Sequence, residues 1–268
     1  MPPAAFSDAA QLLWRCRQSG TVIDALPAAL RPADAAAGHA IQAALADVAG
    51  SPVVGWKIAA TSAAGQAHIQ VDGPLPGRIL SSFVHPMGAT LSLAGNHMRV
   101  VEPEFAFRMG SALPPRATPY AVDDVMAAVA SLHPAFELPD SRFADFARAG
   151  QAQLIADNAC CGRFAFGPAV APAAWRGADL AAQAVHATVR SADGSVRCTR
   201  RGEGRALLGD PRTALTWLAN ELSSLGVGLR AGDWASCGTC MVPLEVQPGD
   251  RVEADYGSFG AIQIGVSR

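Results

Sequence analysis

Val101-Glu102-Pro103-Glu104-Phe105-Ala106-Phe107, residues 101–107, sets two carboxylates into an apolar strand, and its reading decides what the rest of the fold must supply. Side chains two residues apart in a strand leave by the same face, with Cα atoms roughly 6.5–7 Å apart. Glu102 and Glu104 therefore point one way, and Phe105 and Phe107 point the other. One reading is an exposed, solvated and inert strand face. The other is a buried strand, which the apolar neighbours Val100, Val101, Phe105 and Phe107 favour. Burying two like charges side by side is costly unless positive charge sits between them, and a hard divalent cation with oxygen ligands is the simplest source.

Outward from this segment the chain alternates short apolar strands with Gly- and Pro-rich turns. Strands are expected at Val53–Ala59, Ala89–Leu93, Met98–Arg108, Ala135–Leu138 and Arg163–Gly167, with a turn-rich stretch at Val71–Gly77. Val185–Arg190 and Val196–Thr199 read as a hairpin about Asp193-Gly194, and strands return at Trp234–Cys237, Arg251–Tyr256 and Ala261–Val266. Helices are expected from Asp123 to Leu132, closed by His133-Pro134, around Asp145–Ile155, and after the cap Asp210-Pro211, where Leu215, Leu218, Leu222 and Leu225 make one stripe. Residues 1–50 read as a helical appendage. Its first helix is capped by Ser7 or Asp8 and stopped by Gly20; its second starts at Asp34 and ends at Gly50. Residues 51–268 then form the β-rich domain.

The totals exclude several classes. A chain of 268 residues can bury roughly 70–75% of its unfolded surface and needs no covalent staples. A net charge of −2 offers no basic surface for a phosphate backbone, so nucleic acid is not an expected partner. No apolar run approaches the ~20 residues of a membrane span, and Met1 to Trp14 lacks the basic start and apolar core of a signal peptide. A cytoplasmic protein acting on a small molecule is expected. Of six cysteines, Cys237 and Cys240 form a Cys-x-x-Cys, but no second pair or His-x-x-x-His follows, so neither a zinc site nor a disulfide framework is expected. The apolar stripes of the N-terminal helices make self-association into a homo-oligomer the expected assembly.

Three further groups can carry chemistry. Glu137, between Phe136 and Leu138, is either a third oxygen donor for a magnesium or manganese ion or a rim carboxylate paired with Arg142. Lys57, in Gly55-Trp56-Lys57-Ile58, either snorkels to solvent or is buried enough to have its pKa lowered for proton transfer. Asp157-Asn158 serves as a cap or turn, or places polar groups at a pocket mouth. Gly202-Glu203-Gly204 lacks the Lys-Ser or Lys-Thr of a phosphate loop, and a nucleotide site is rejected.

In combination, Gly55-Trp56-Lys57-Ile58, Val101-Glu102-Pro103-Glu104, Phe136-Glu137 with Ser141-Arg142, Asp157-Asn158-Ala159, Leu208-Gly209-Asp210-Pro211 and Pro248-Gly249-Asp250 resemble the fumarylacetoacetate hydrolase superfamily. The resemblance is to its group of 2-hydroxypenta-2,4-dienoate hydratases and 4-oxalocrotonate decarboxylases, and it covers nearly the whole chain. It implies an α+β fold with a mixed β-roll or barrel-like core and an N-terminal helical appendage. It also implies Mg2+ or Mn2+ held by Glu102, Glu104 and Glu137, and a small 2-oxo or 2-hydroxy acid as substrate in aromatic-compound catabolism. Lys57 would touch the reacting groups, and Asn158, Cys160, Gly238 and Thr239 would line the substrate. The acidic residue that the family places after Val-Asp-x-Pro falls here on Leu75, leaving Asp72 as a substitute for proton transfer. Cys160 stands where serine is usual, and Cys237-Gly238-Thr239 where Thr-Gly-Ser is expected. Hydration is the implied reaction, with decarboxylation of an oxalocrotonate-like acid and C–C hydrolysis as alternatives. His68, His85 and His97 have no acid beside them to mark a water-activating pair for hydrolysis. A non-catalytic subunit complexed with another enzyme of the pathway is the alternative outside catalysis.

Overall fold

The computed structural model describes residues 3–268; Met1 and Pro2, the start of the segment 1–50, lie outside the described residues. In chain order the elements are α1 (Pro3–Ser19), α2 (Ala35–Ala49), β1 (Val53–Ala59), α3 (Ala63–Ile69), β2 (Leu75–Leu80), β3 (Val84–His85), β4 (Thr90–Ser92) and β5 (Val100–Met109). There follow α4 (Val122–Ala127), β6 (Val129–Leu138), α5 (Gln151–Ala156), β7 (Arg163–Phe166), α6 (Pro172–Trp175), β8 (Ala184–Arg190) and β9 (Val196–Glu203). The last are α7 (Pro211–Ser224), β10 (Trp234–Thr239), β11 (Leu244–Glu245), β12 (Arg251–Asp255) and β13 (Ala261–Ser267).

Two sheets form the core. One runs β2-β1-β10-β5-β6-β7-β3, with β11 added to β5, and the other runs β4-β13-β12-β8-β9. The first sheet is rolled. Trp234 on β10 and Phe166 on β7 have two strands between them, so a flat sheet would hold them about 14 Å apart. Their rings instead stack at 4.0 Å and 3° across the hollow. The convex face carries Phe105 and Phe107, which pack edge-on against Tyr256 and Trp175. The alternation in residues 101–107 is therefore literal: aromatics go to the inter-sheet core, and carboxylates go to the concave side.

The helices close the ends. Asp210 caps α7 by accepting from the Arg212 N–H, and Leu215, Leu218 and Leu222 are fully buried in the main core. Asp34 caps α2, which ends at Gly50 in the left-handed region. The first two helices share a core with the β domain through Ile41, Phe143 and Ala156. Buried Gln42 on α2 ties it further, donating to the carbonyls of Pro76 and Ile155. No helix among the described residues is long and apolar enough to cross a membrane.

Three expectations need correction. The helix at 123–132 ends at Ala127, and residues 129–138 form β6, because pairing along the length of β5 outweighs the helical spacing of Val125, Val129 and Leu132. The first helix does not start at Ser7 or Asp8 but runs from Pro3. The turn-rich reading of 71–77 hid β2, a strand that contains Pro76 and Gly77, and it passed over α3, which Ser62 caps through the Gly65 N–H.

Candidate metal and substrate site

Register brings the carboxylates together. Glu102 on β5 lies directly opposite Glu137 on β6, and Glu104 lies opposite Ala135 one step deeper. All three offer oxygens within 4.8 Å of one another. Oxygens on opposite sides of a cation coordinated at roughly 2.0–2.5 Å are about 4–5 Å apart, so the spacing suits one divalent ion. Glu104 and Glu137 are wholly buried, while Glu102 is partly exposed, so the cradle opens on the Glu102 side.

Each buried carboxylate is held on one oxygen only. Glu104 Oε2 accepts hydrogen bonds from Ser236 Oγ and from the Gly238 N–H. Glu137 Oε1 accepts from the Gly162 N–H at 3.0 Å. Both glycines are required by space. A Cβ at Gly162 would fall 1.7 Å from the Leu138 carbonyl oxygen, and one at Gly238, where φ is 89°, would fall 2.7 Å from that of Ile58. Glu104 Oε1 has no hydrogen-bond donor although buried, and Glu137 Oε2 has only the ammonium of Lys57 beside it. Such poorly satisfied acceptors are costly in a folded interior, and a cation between the carboxylates would satisfy them.

Lys57, buried on β1, places Nζ 3.3 Å from Glu137 Oε2. Arg142, the alternative partner for Glu137, pairs instead with Asp140. Burial pulls the Lys57 pKa down, but Glu137 first, and then Glu102 and Glu104, outweigh it and hold the ammonium above its ordinary value. That reverses the lowering expected from burial alone. Burial raises the carboxylates: Glu102 goes up to about 7 with help from Glu137, and Glu104 goes well above its usual range. Glu137 is also raised by burial, with Lys57 and the Gly162 N–H opposing. Three carboxylates against one ammonium leave two negative charges uncompensated, the charge of one divalent cation. The residues present therefore fit such an ion.

The remaining candidates divide. Asn158 is fully engaged with the backbone of β2, accepting from the Arg78 N–H and donating to the Arg78 carbonyl, so its amide fixes a strand edge. Asn158, Ala159 and Cys160 all have φ between 53° and 59°, an uncommon run for residues with a Cβ, costing about 1–2 kcal/mol each. Cys160 is buried, and burial with Asp157 nearby pushes its thiol up to about 12. Gly238 contributes its N–H to Glu104, and Thr239 Oγ1 bonds locally to the Met241 backbone. Asp72 is not brought to the carboxylates: it sits exposed on the bend before β2. Leu75 is buried in an apolar cluster with Ile69 and Cys160, against which Met98 and Phe146 pack. Gly162, which orients Glu137, also fits the family pattern in the sequence, whereas Ser236, which orients Glu104, carried no sequence signal, because its role depends on which strands become neighbours.

A rolled mixed sheet with a carboxylate cradle on its concave side defines a metal-binding β-roll protein. Comparison narrows the class. The sequence profile of the fumarylacetoacetate (FAA) hydrolase C-terminal family matches residues 37–267, and the chain belongs to that family. It is 32% identical over 267 residues to a 2-keto-4-pentenoate hydratase from Paraburkholderia xenovorans (strain LB400), covering 98% of this chain and 95% of the relative. It is 30% identical over 213 residues to a 4-oxalocrotonate decarboxylase from a Pseudomonas species, covering 80% and 78% of the two chains. Among solved structures, 4-oxalocrotonate decarboxylase from Pseudomonas putida G7, complexed with magnesium and adipate, superposes with a TM-score of 0.86 at 23% identity over 99% of this chain and 98% of that one.

Proposed function

We propose that the protein is a divalent-metal-dependent hydratase that adds water to a small 2-hydroxy-dienoate, or its 2-oxo-enoate tautomer, in aromatic-compound catabolism. The observation that carries this reading is the buried cradle of Glu102, Glu104 and Glu137, where Glu104 Oε1 lacks any donor and Glu137 Oε2 has only a lysine held as an ammonium. Mg2+ or Mn2+ bound there supplies the positive charge that stabilises the enolate oxygen of the substrate.

The chain's own groups do the rest. Lys57 Nζ, paired with Glu137 on the cradle wall, suits the substrate carboxylate or 2-oxo oxygen. Because Glu137 holds it protonated, it serves as a donor and acid rather than as a base. Glu104, fixed by Ser236 and Gly238, and Glu137, fixed by Gly162, keep their free oxygens aimed inward without reorganisation. We infer that the substrate's tail lies against the apolar cluster of Leu75, Met98 and Phe146, which suits an uncharged group, since a second carboxylate there would lose its hydration without a partner. That favours a monocarboxylic dienoate over an oxalocrotonate-like diacid.

The same reading puts the enzyme in the cytoplasm, which six unpaired cysteines support, as a homo-oligomer able to associate with a pathway enzyme. Residues 1–50 are proposed as a helical segment on a catalytic domain of residues 51–268. The test is metal-dependent loss of dienol ultraviolet absorbance by purified protein given 2-hydroxypenta-2,4-dienoate. Carbon dioxide release from 4-oxalocrotonate without hydration would select decarboxylase instead. No turnover of either acid would favour a non-catalytic subunit.

A further inference from the structure

Next to the segment that holds Glu137 lies a second cavity, about 30 Å3, which shares Gly162 with the cradle and whose charged lining residues take no part in the chemistry above. Three arginines reach it from separate parts of the chain: Arg17 from α1, Arg142 from the loop after β6 and Arg163 from the start of β7. One carboxylate, Asp140, shares the lining. Three guanidinium groups against Asp140 on the wall and the buried Asp157 behind it leave an excess of one positive charge.

The pairing of these groups is incomplete. Arg142 is 1% exposed; its Nη2 meets the Asp140 carboxylate, but its Nε and Nη1 find no hydrogen-bond partner. Arg17 donates to the Cys161 carbonyl at 2.7 Å and Arg163 to the Ser92 carbonyl at 2.8 Å, and neither forms an ion pair among the described residues. Burial first, and then the charge of Arg17, depress both Arg142, to about 10, and Arg163. Arg17 is thus close enough to repel both Arg142 and Arg163, and burial adds to the cost of those two charges. Asp157, the other buried acid nearby, spends its Oδ2 on Ser141 Oγ and the Arg142 N–H.

We propose that this cavity is a binding site for a small inorganic anion, with the guanidinium groups of Arg17, Arg142 and Arg163 as its donors. A buried unpartnered guanidinium is among the costliest arrangements in a protein interior, and an anion resolves it directly. The volume is about twice the ~10–15 Å3 that one water needs, enough for a halide. Asn96 on the wall turns its amide away, donating to the Pro139 carbonyl, so the positive donors are the arginines. The bound anion cross-links α1, the loop after β6 and the Gly162-Arg163 segment. Its occupancy therefore steadies the Gly162 N–H that orients Glu137.

The experiment uses the full chain at constant ionic strength, exchanging sodium gluconate for sodium chloride, and follows thermal unfolding. Chloride at 100 mM is expected to raise Tm by about 2 °C or more with a saturating dose dependence. Crystals soaked in sodium bromide should show an anomalous peak among the three guanidinium groups. Arg163→Gln should abolish the chloride-specific rise while keeping the Mg2+-dependent one, which separates this site from the cradle. Absence of bromide at the three arginines overturns the proposal, as does an Arg163→Gln protein that keeps the full chloride response. Should Arg163→Gln fail to fold, the bromide position in the unaltered protein decides.

Discussion

Glu104→Gln separates the charge of the cradle from its shape. Glu104 Oε2 accepts from Ser236 and Gly238, and Oε1 accepts from no donor. A glutamine keeps both accepted bonds through its carbonyl oxygen and sets its NH2 where the orphaned oxygen stood, so packing is retained while one negative charge is lost. In metal-free protein that charge destabilises. Burial and Glu137 move Glu102 from 4.5 to about 7, which corresponds to about 3 kcal/mol once the group is ionised. Glu104 is displaced in the same direction by the same causes. Removing one charge should recover about 1–2 kcal/mol, or about 2–8 °C in Tm for a chain of this length. A folded pKa raised above its unfolded value gives stability that is present at low pH and lost as pH rises through the folded value. Metal-free wild type should therefore weaken as pH rises from 4.5 through about 7, and the glutamine variant should weaken less. Saturating Mg2+ reverses the order, since the wild type has three anionic ligands and the variant has two. Thermal unfolding in chelator and in Mg2+, at acid and mildly alkaline pH, reads all four states. A variant that melts at or below wild type in chelator at alkaline pH, or gains as much from Mg2+, refutes the charge argument.

Lys57→Met should lower kcat by at least about a hundredfold while the protein still binds Mg2+ by calorimetry, because it removes a donor and not a ligand. Gly162→Ala must displace the Leu138 carbonyl, which the added Cβ would meet at 1.7 Å; a Tm loss of about 5 °C or more is expected by calorimetry, together with weaker metal binding. Asn158→Ala strands the Arg78 N–H that its amide oxygen satisfies and leaves the Arg78 carbonyl only the Cys161 thiol; a cost of about 1–3 kcal/mol in urea unfolding is expected. Leu75→Ala should make room in the apolar cluster proposed to hold the tail, so that KM for a dienoate with a longer alkyl tail falls relative to the pentadienoate.

The sequence was most informative where side-chain alternation and burial agree. Residues 101–107 announced a strand with aromatics on one face and carboxylates on the other, and the structure places Phe105 and Phe107 against Tyr256 and Trp175 as that pattern requires. Asp34 and Asp210 were legible as caps because a cap is a local device. Residues 123–132 misled for a related reason: Val125, Val129 and Leu132 are buried whether the chain is helix or strand, and only β5 decides. The direction of the Lys57 shift was equally out of reach, since it is set by Glu137, 80 residues away in sequence.

The convergence of the site belongs to register and curvature, neither of which is written in any one segment. Slipping β6 by one residue against β5 would send Glu137 to the convex face among the aromatics, so the pairing Glu102 opposite Glu137 must be enforced elsewhere. The convex face does this: Phe136 lies opposite Pro103 and is fully buried, and a slip would expose it while burying a charge in the inter-sheet core. Curvature does the rest. Lys57 sits three strand spacings from Glu137, about 14 Å in a flat sheet, yet the roll marked by Trp234 on Phe166 lets Nζ reach 3.3 Å from Oε2. The aromatic contact across the hollow and the lysine–carboxylate contact are thus two consequences of one bend. A substitution that relaxes the bend, such as Trp234→Ala, should withdraw the ammonium from the cradle without touching a single ligand.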